Sequence, residues 1–348
     1  MASQPSKILV LGGTGAQGKN VVRELVRDGR YAVTVLTRDI ESASARELKE
    51  LGNVEILKGS YETEAGLRVA LKGQYGVYLN LDSFRMTEAA EYFWTFRLYE
   101  IAVQSGVKQS LGLSGGANRQ QLHRYAEEYR NSHQLTASKM GQWISTQPLE
   151  LMGWTIICGA VYTEMLSVFF RPKVLDDGTH IFAAPLGDGC VGFAELAAYG
   201  YYARWIFDHP ERTLGKHIAL PTYPTTLEGI ATAFSRVTGK RAVAVDVTQE
   251  QWFAAASAYV EPDVKQPAHI PAGENNDMRF TFRQSFGAWW NVWKALRPEE
   301  EELKPGLELA DEIYPDRIRS VEEWMRATGY TGEAKAEMKA DKDRSRTL

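Results

Sequence analysis

The run Ile8-Leu9-Val10-Leu11-Gly12-Gly13-Thr14-Gly15-Ala16-Gln17-Gly18 carries the strongest chemical signal in the chain, and the helical pattern of Asn20 to Val26 follows it at once. A strand that turns through closely spaced glycines into a helix leaves backbone N–H groups unpaired at the helix N-terminus. A pyrophosphate can seat there without meeting a side chain. Gly13 to Lys19 also has the spacing of a nucleoside-triphosphatase loop, but Asn20 stands where that loop needs Ser or Thr to hold Mg²⁺. Dinucleotide binding is therefore the expected chemistry, with Gly18 as the close contact between first helix and sheet. About 20 residues on, Leu36-Thr37-Arg38 ends in arginine where an NAD site carries Asp or Glu. A guanidinium makes charge-assisted bonds to a 2′-phosphate that a carboxylate would repel, so the expected cofactor is NADP(H).

Such a turn needs strands and helices to hold it. Lys7–Leu11, Ala32–Thr37, Val54–Leu57, Gly76–Leu81, Ser110–Ser114 and Thr155–Cys158 are short, largely apolar runs suited to strands buried on both faces. Between them, apolar residues recur three and four apart, as at Val21, Val22, Leu25 and Val26. This alternation predicts an α/β fold, a Rossmann-type doubly wound parallel sheet over residues 1–160, with some later segments free to return to it. Residues 161–331 read as a smaller α+β substrate or lid region: a helix at Phe193–Phe207, a strand at His217–Leu220, a helix at Leu227–Thr238 and a strand at Arg241–Val247. Residues 332–348, dominated by charged residues and alanine, read as a solvated, disordered tail.

The composition narrows the function. With 40 Lys+Arg against 44 Asp+Glu, the 348-residue chain has no global attraction for a polyanion, and direct nucleic-acid binding is not expected. Its two cysteines, Cys158 and Cys190, are too few for a disulfide framework or a four-ligand zinc site, so no metal is expected and a reducing compartment is the default. No run approaches the roughly 20 apolar residues of a membrane span. The expected location is the cytoplasm, extending to the nucleus for a regulator, and the expected partner is a small molecule or a regulatory protein.

Together with Gly12–Gly18 and Thr37-Arg38, the segment Pro185-Leu186-Gly187-Asp188-Gly189-Cys190 and the late Glu322-Glu323-Trp324 make the chain resemble NmrA-like proteins. These are atypical relatives of short-chain dehydrogenases and reductases, including both reductases and redox-sensing regulators. The resemblance implies that Gly12, Gly13, Thr14, Gly15, Ala16, Gln17 and Gly18 wrap the pyrophosphate, and that Arg38 and Asp39 meet the adenosine phosphate. It implies further that Ser60 stands where relatives carry Asp near the adenine, and that Leu81, Asp82 and Ser83 border a ribose. Lys139 takes the position of the family lysine, and Gly159, Ala160, Val161 and Tyr162 lie beside the nicotinamide.

A short-chain reductase pairs its lysine with a tyrosine four residues earlier, one helical turn away, so that the ammonium lowers the phenol's pKa. Here that position is Leu135, and the histidine some relatives carry is also missing. Ser114, at the end of the fifth strand, and Tyr162 join Lys139 as catalytic candidates. Tyr125, Tyr129 and His133 are further possible acids. Hydride addition to an electron-poor carbon can also proceed without a protein acid. The late stripe Phe282, Phe286, Trp289, Trp293 and Leu296 suits either a core contact or a wall for a flat aromatic substrate, with Trp290 off the stripe. The expected activity is NADPH-dependent oxidation–reduction of a hydrophobic or aromatic small molecule. The alternative is a non-catalytic NADP(H) redox sensor or transcriptional regulator.

Overall fold

The computed structural model describes residues 4–114, 119–257, 260–267, 279–299 and 307–334. Strand and helix alternate through the first half: β1 (Ser6–Val10), α1 (Ala16–Val26), β2 (Tyr31–Thr37), α2 (Ala43–Glu50), β3 (Val54–Lys58), α3 (Glu64–Leu71), β4 (Gly76–Leu79), α4 (Glu88–Gln104), β5 (Gln109–Ser114), α5 (Arg119–Leu122), α6 (Ser132–Ile144) and β6 (Gly153–Cys158). Beyond them run β7 (Val161–Tyr162), β8 (Lys173–Val174), β9 (His180–Ala184), β10 (Cys190–Ala194), α7 (Leu196–Asp208), α8 (Pro210–Thr213), β11 (Lys216–Ala219), β12 (Tyr223–Thr226), α9 (Leu227–Thr238) and β13 (Ala242–Asp246). Helices α10 (Gln249–Ala256), α11 (Phe282–Ala295), α12 (Leu307–Ile313) and α13 (Val321–Thr328) complete the order.

Seven strands form one parallel sheet in the order β11-β6-β5-β4-β1-β2-β3, the doubly wound arrangement expected from the alternation. Its central strand explains why the β1 run is aliphatic throughout. Ile8 and Val10 pack with Val21, Val22, Tyr199 and Ile206 on one face, while Leu9 packs with Leu67, Leu98 and Ile101 on the other. Chain reversal between β1 and β4 puts a crevice at the carboxyl ends of these strands, where open α/β sheets bind ligands.

The second half both returns to this sheet and builds its own core. β11 adds a seventh strand beside β6, so the expected His217–Leu220 strand belongs to the large sheet. The predicted Phe193–Phe207 helix begins later, at Leu196. Residues Cys190–Ala194 instead form β10, which is buried along its length and pairs with β12 and β7. A second small sheet runs β13-β9-β8. Around these strands Phe170, Phe182, Phe193, Phe234, Trp252 and Trp290 make a separate aromatic core. Among the described residues no helix is long and apolar enough to cross a membrane. Residues 335–348 of the expected tail lie outside the described residues.

Helix α7 holds α1, and therefore the glycine turn, in place. Gly200 lets the two helices approach so closely that a Cβ there would lie 2.5 Å from the Asn20 carbonyl oxygen. Arg204, buried at 5% exposure, donates to the Glu24 and Leu25 carbonyls at 3.1 and 3.2 Å, and to Asp28 and Asp208 at 2.6 and 2.7 Å. These bonds satisfy carbonyls that the end of α1 leaves unpaired, and the guanidinium holds the Asp28 carboxyl down at about 2. Removing one partner of a buried charged network costs about 3 kcal/mol. Arg204→Met should therefore lower unfolding stability by that order in urea denaturation, although the methionine keeps the apolar stem.

Candidate functional site

The turn after β1 is shaped by sterics that only glycine meets. Gly12 has φ +70°, and a Cβ on it would lie 2.7 Å from the Asn80 carbonyl oxygen. A Cβ on Gly18 would lie 2.2 Å from the Gly12 carbonyl oxygen and 2.7 Å from the Gly13 Cα. Gly13 faces Val35 behind the turn, where a Cβ would come within 2.8 Å of that side chain. The Gly15 N–H donates back to the Gly12 carbonyl at 2.9 Å, closing the loop. Helices α2, α3, α4, α6, α9, α10, α11 and α13 all have a Ser, Thr or Asn side chain accepting at the N-cap. The N-cap of α1 is Gly15, with no side-chain bond. Its first-turn N–H groups and dipole are left for an anion.

A cavity of about 560 Å³ opens on this turn. Gly12, Thr14, Gly15, Ala16 and Gln17 form its floor, and Leu36–Arg38 with Gly59–Tyr61 form one end. Leu79–Phe84 and the segment Gly159–Tyr162 line its middle. Helix α6 supplies His133, Gln134, Ala137, Met140, Gly141 and Ile144 from a single face, and α4 contributes Glu91. The far end is closed by Phe169 and by Phe286, Trp289, Val292 and Trp293 of α11.

Polar groups within this wall are few and mostly committed. The Tyr162 hydroxyl donates to Gln17 Oε1 at 2.8 Å, and Gln17 Nε2 donates to the Tyr78 hydroxyl. Burial raises the phenols of both tyrosines. Tyr199 stacks edge-on against Tyr162 and clamps Ala160, its hydroxyl accepting from the Ala160 N–H at 3.0 Å and donating to the carbonyl at 3.1 Å. At the opposite end, Arg38 Nη1 is buried without a hydrogen-bond partner, 3.7 Å from Glu62 Oε1. Burial raises the Glu62 carboxyl, with the Arg38 charge opposing. His133 is held neutral, its pKa pushed down to about 4 by burial, and its Nδ1 has no hydrogen-bond partner. Glu91, 6% exposed, accepts from Ser83 Oγ at 2.8 Å, and desolvation pushes its carboxyl up to about 8.

The cavity brings together most of the residues singled out from sequence: Gly12, Thr14 to Gln17, Arg38, Ser60, Leu81 to Ser83 and Gly159 to Tyr162. Gly13 and Gly18 shape the turn from behind rather than line it. Asp39 is exposed and outside the lining, its carboxylate accepting from the Glu41 N–H at 2.9 Å. Lys139 also stands apart from the lining. It is two residues from both Ala137 and Gly141, about 160° around the helix from each. The cleft-facing residue four after His133 is Ala137, so α6 presents no ammonium to the cavity. Ser114 ends β5 opposite Cys158, and its side chain lies outside the described residues. Tyr125 and Tyr129 are absent from the wall, whereas His133 belongs to it. Of the α11 stripe, Phe286, Trp289 and Trp293 are buried in the core and also line the cavity. Trp290, off that stripe, is fully buried in the core.

Sequence reasoning missed Glu91 and Phe84. Glu91 follows the Thr87 cap in the first turn of α4, where an acid reads simply as a favourable charge at a helix N-terminus. Phe84 follows a strand and carries no periodic signal. Among the described residues no group of three His, Cys, Asp or Glu side chains is placed to hold a metal.

Fold and cavity define a Rossmann-type α/β protein with its ligand cleft at the switch point of the sheet. The profile of the NmrA-like family matches residues 4–324, and the chain belongs to that family. It is 28% identical over 254 residues to the NmrA-like family domain-containing oxidoreductase hkm9 of Aspergillus hancockii, covering 68% of this chain and 73% of that protein. Among solved structures it is similar to NmrA, a negative transcriptional regulator, in complex with NADP. That likeness has TM-score 0.69 and 20% identity, over 95% of this chain and 99% of the other. It is also similar to the Citrobacter sp. triphenylmethane reductase complexed with NADP(H), with TM-score 0.66 and 17% identity, over 92% and 99% of the two chains.

The buried Glu91 carboxyl gives a signed pH test. Folded protein keeps its proton to about pH 8, while the unfolded side chain releases it near 4.5, so this group's contribution to stability is lost as pH rises between those values. Glu91→Gln keeps the shape and cannot ionise. Its urea midpoint should match wild type near pH 5 and exceed it increasingly toward pH 8.

Proposed function

We propose that the protein is an NADP(H)-dependent oxidoreductase acting on a hydrophobic, aromatic small molecule. The observation that carries this reading is one continuous cavity running from an uncapped glycine turn and Arg38 to a wall of aromatic rings. The residues present fit the cofactor. First-turn N–H groups of α1 match a pyrophosphate, the steric need for glycine at 12 and 18 keeps the floor open, and Arg38 Nη1, which makes no hydrogen bond and lies 3.7 Å from Glu62, matches a 2′-phosphate. Glu62 is the neighbour against which Arg38 discriminates. Its carboxylate would accept from a ribose hydroxyl in the absence of the phosphate, whereas the guanidinium would attract the phosphate dianion. The oxidoreductase names of relatives such as hkm9 and the NADP(H) in the triphenylmethane reductase complex support the same reading.

When bound, the nicotinamide supplies a hydride. The chain's own residues bind, orient and exclude water. Gly159 to Tyr162 form the ledge for the ring, and Tyr199 fixes this ledge through both polar atoms of the Ala160 backbone. Tyr162 acts as a positioning residue, since its proton is engaged by Gln17 in the floor of the cradle. The apolar far wall keeps the reacting carbon dry, which strengthens the electrostatic interactions around it.

A redox sensor whose partner binding follows NADP⁺/NADPH is the second reading. It is favoured by the absence of an ammonium from the cleft face of α6 and by the likeness to a transcriptional regulator. Substrate turnover separates the two. An enzyme consumes NADPH, followed by absorbance, when electron-poor aromatic acceptors are added, whereas a sensor consumes none and binds NADP⁺ and NADPH with unequal effect on a partner. For either reading, Arg38→Glu should weaken NADPH binding by about 10- to 100-fold and leave NADH binding nearly unchanged, measured by dihydronicotinamide fluorescence titration. An equal loss for both cofactors would remove Arg38 from 2′-phosphate recognition.

A further inference from the structure

We propose that Glu91 is the acid of the reaction: its carboxylic acid proton passes to the oxygen of a carbonyl group on the substrate while the carbonyl carbon takes the hydride. The inference rests on the oxidoreductase reading and deepens it, assigning the proton donor that position 135 does not supply. Glu91, Thr95 and Leu98 stand one turn apart on α4 and all three line the cavity, so this face of the helix is directed into it. Ser83, from the segment after β4, lines the same cavity and donates to Glu91 Oε1 at 2.8 Å. That bond leaves Oε1 as the carbonyl oxygen of the acid and Oε2 as its hydroxyl. Among the described residues Oε2 makes no hydrogen bond that would engage its proton. The chain continues from Ser83 into Phe84, whose ring stacks on Phe286 of α11 at 6.0 Å and lies 5.0 Å from His133. Ser83 therefore ties the acid to the segment that opens the aromatic end of the cavity.

The surroundings keep this proton in place at neutral pH. From the β4 segment comes Asp82, whose Oδ1 accepts from the Phe84 N–H at 3.1 Å. From α4 itself comes Glu88, whose oxygens are taken by Arg130 at 2.9 Å and by the Tyr92 hydroxyl at 3.2 Å. Helix α6 brings His133, held neutral by burial, and the α11 side chains in the wall, Phe286, Trp289, Val292 and Trp293, carry no charge. Among the described residues no Lys or Arg acts on Glu91. Desolvation, joined by repulsion from Asp82 and Glu88, pushes the carboxyl up to about 8 against the Ser83 bond. An acid works best with its pKa close to the operating pH, which is where burial has put this one.

The other groups near the cavity have no proton to give. Tyr162 spends its proton on Gln17 and Tyr199 spends its own on the Ala160 carbonyl, while burial raises both phenols. His133, pushed down to about 4, is already deprotonated at pH 7, and Lys139 is outside the lining. In the step itself a C–H bond forms at the carbonyl carbon with the electron pair of the hydride, and the C=O π pair moves to oxygen. There it takes the Glu91 proton as the carboxyl O–H bond breaks. The ketone is reduced to an alcohol, the cofactor is oxidised by the same two electrons, and Glu91 is left as a carboxylate. That negative charge balances the positive charge of the oxidised cofactor, so the site gains no net charge. Water entering the cavity restores the proton once the alcohol has left.

The test uses the full-length protein, NADPH and two aryl ketones, α-tetralone and trifluoroacetophenone. For wild type, kcat/KM followed by NADPH absorbance should be level below about pH 8 and fall about tenfold per pH unit above it, as the acid form is lost. Glu91→Gln should lower kcat by about 100- to 1,000-fold and abolish that limb. Its NADPH affinity, and its ketone affinity read by tryptophan quenching with NADP⁺, should stay within about threefold. Ser83→Ala removes a bond that favours the carboxylate and should move the limb to higher pH. Infrared difference spectra of the free protein supply a readout without turnover: a carboxylic acid band should vanish in wild type across the same pH range and be missing from Glu91→Gln. Because this variant folds at least as stably as wild type up to about pH 8, its lost turnover there is not lost structure. Undiminished kcat in Glu91→Gln, a limb that persists in it, a loss confined to KM, or a Glu91 band already ionised near pH 6 overturns the assignment. If ketones are reduced by both proteins alike, the acid assignment alone fails. If NADPH does not bind, or wild type reduces neither ketone, the oxidoreductase reading fails and takes the assignment with it.

Discussion

The contact between Gly18 on α1 and the Gly12 carbonyl constrains everything built above the sheet. With no Cβ at either position, the helix can start directly against the strand it follows, and its N–H groups point into the crevice at the switch point. Any side chain at 18 would push α1 off β1 and close the anion site. The rest of the protein maintains this approach. Helix α7 lies along α1 through the equally close contact at Gly200, and Arg204 ties the far end of α1 by its carbonyls. The second half of the chain therefore contributes to the first domain's ligand site as well as to its own core.

The cavity that results is divided by the same strand ends that build it. Residues after β2 and β3 form a polar, partly positive end around Arg38, whereas those after β4, with α4, α6 and α11, form an aromatic end bordered by acids. Desolvation acts on both ends in opposite senses. It leaves Arg38 Nη1 without a hydrogen bond, 3.7 Å from Glu62, and raises the Glu91 carboxyl. Such unsettled groups are costly to a folded chain unless a ligand completes them, which is why they mark function more sharply than well-paired surface charges do.

Local signals were sufficient where a single segment carries its own explanation. The β1 glycine turn, the six leading strands and the Leu227–Thr238 helix could be read because backbone sterics and burial on two faces impose residue types within a short window. Periodicity failed at Cys190–Ala194, where a fully buried strand runs into the largely apolar start of α7. Lys139, placed by the family resemblance, lies on α6 but outside the cavity lining, whose face on that helix is defined by His133, Ala137 and Gly141.

By itself, then, the sequence determined the doubly wound class, the glycine turn and the placing of Arg38 at the end of the second strand, because each depends on neighbours within a strand–turn–helix unit. Only the tertiary structure decided which face of α6 is presented, that Tyr162 is bound to Gln17, that Glu91 lies buried against Ser83 in the cavity wall, and that Phe84 stacks on Phe286 of α11. Those facts arise where segments that are distant in sequence exclude water together. Desolvation depends on every element that packs around a group, so no stretch of sequence holds it.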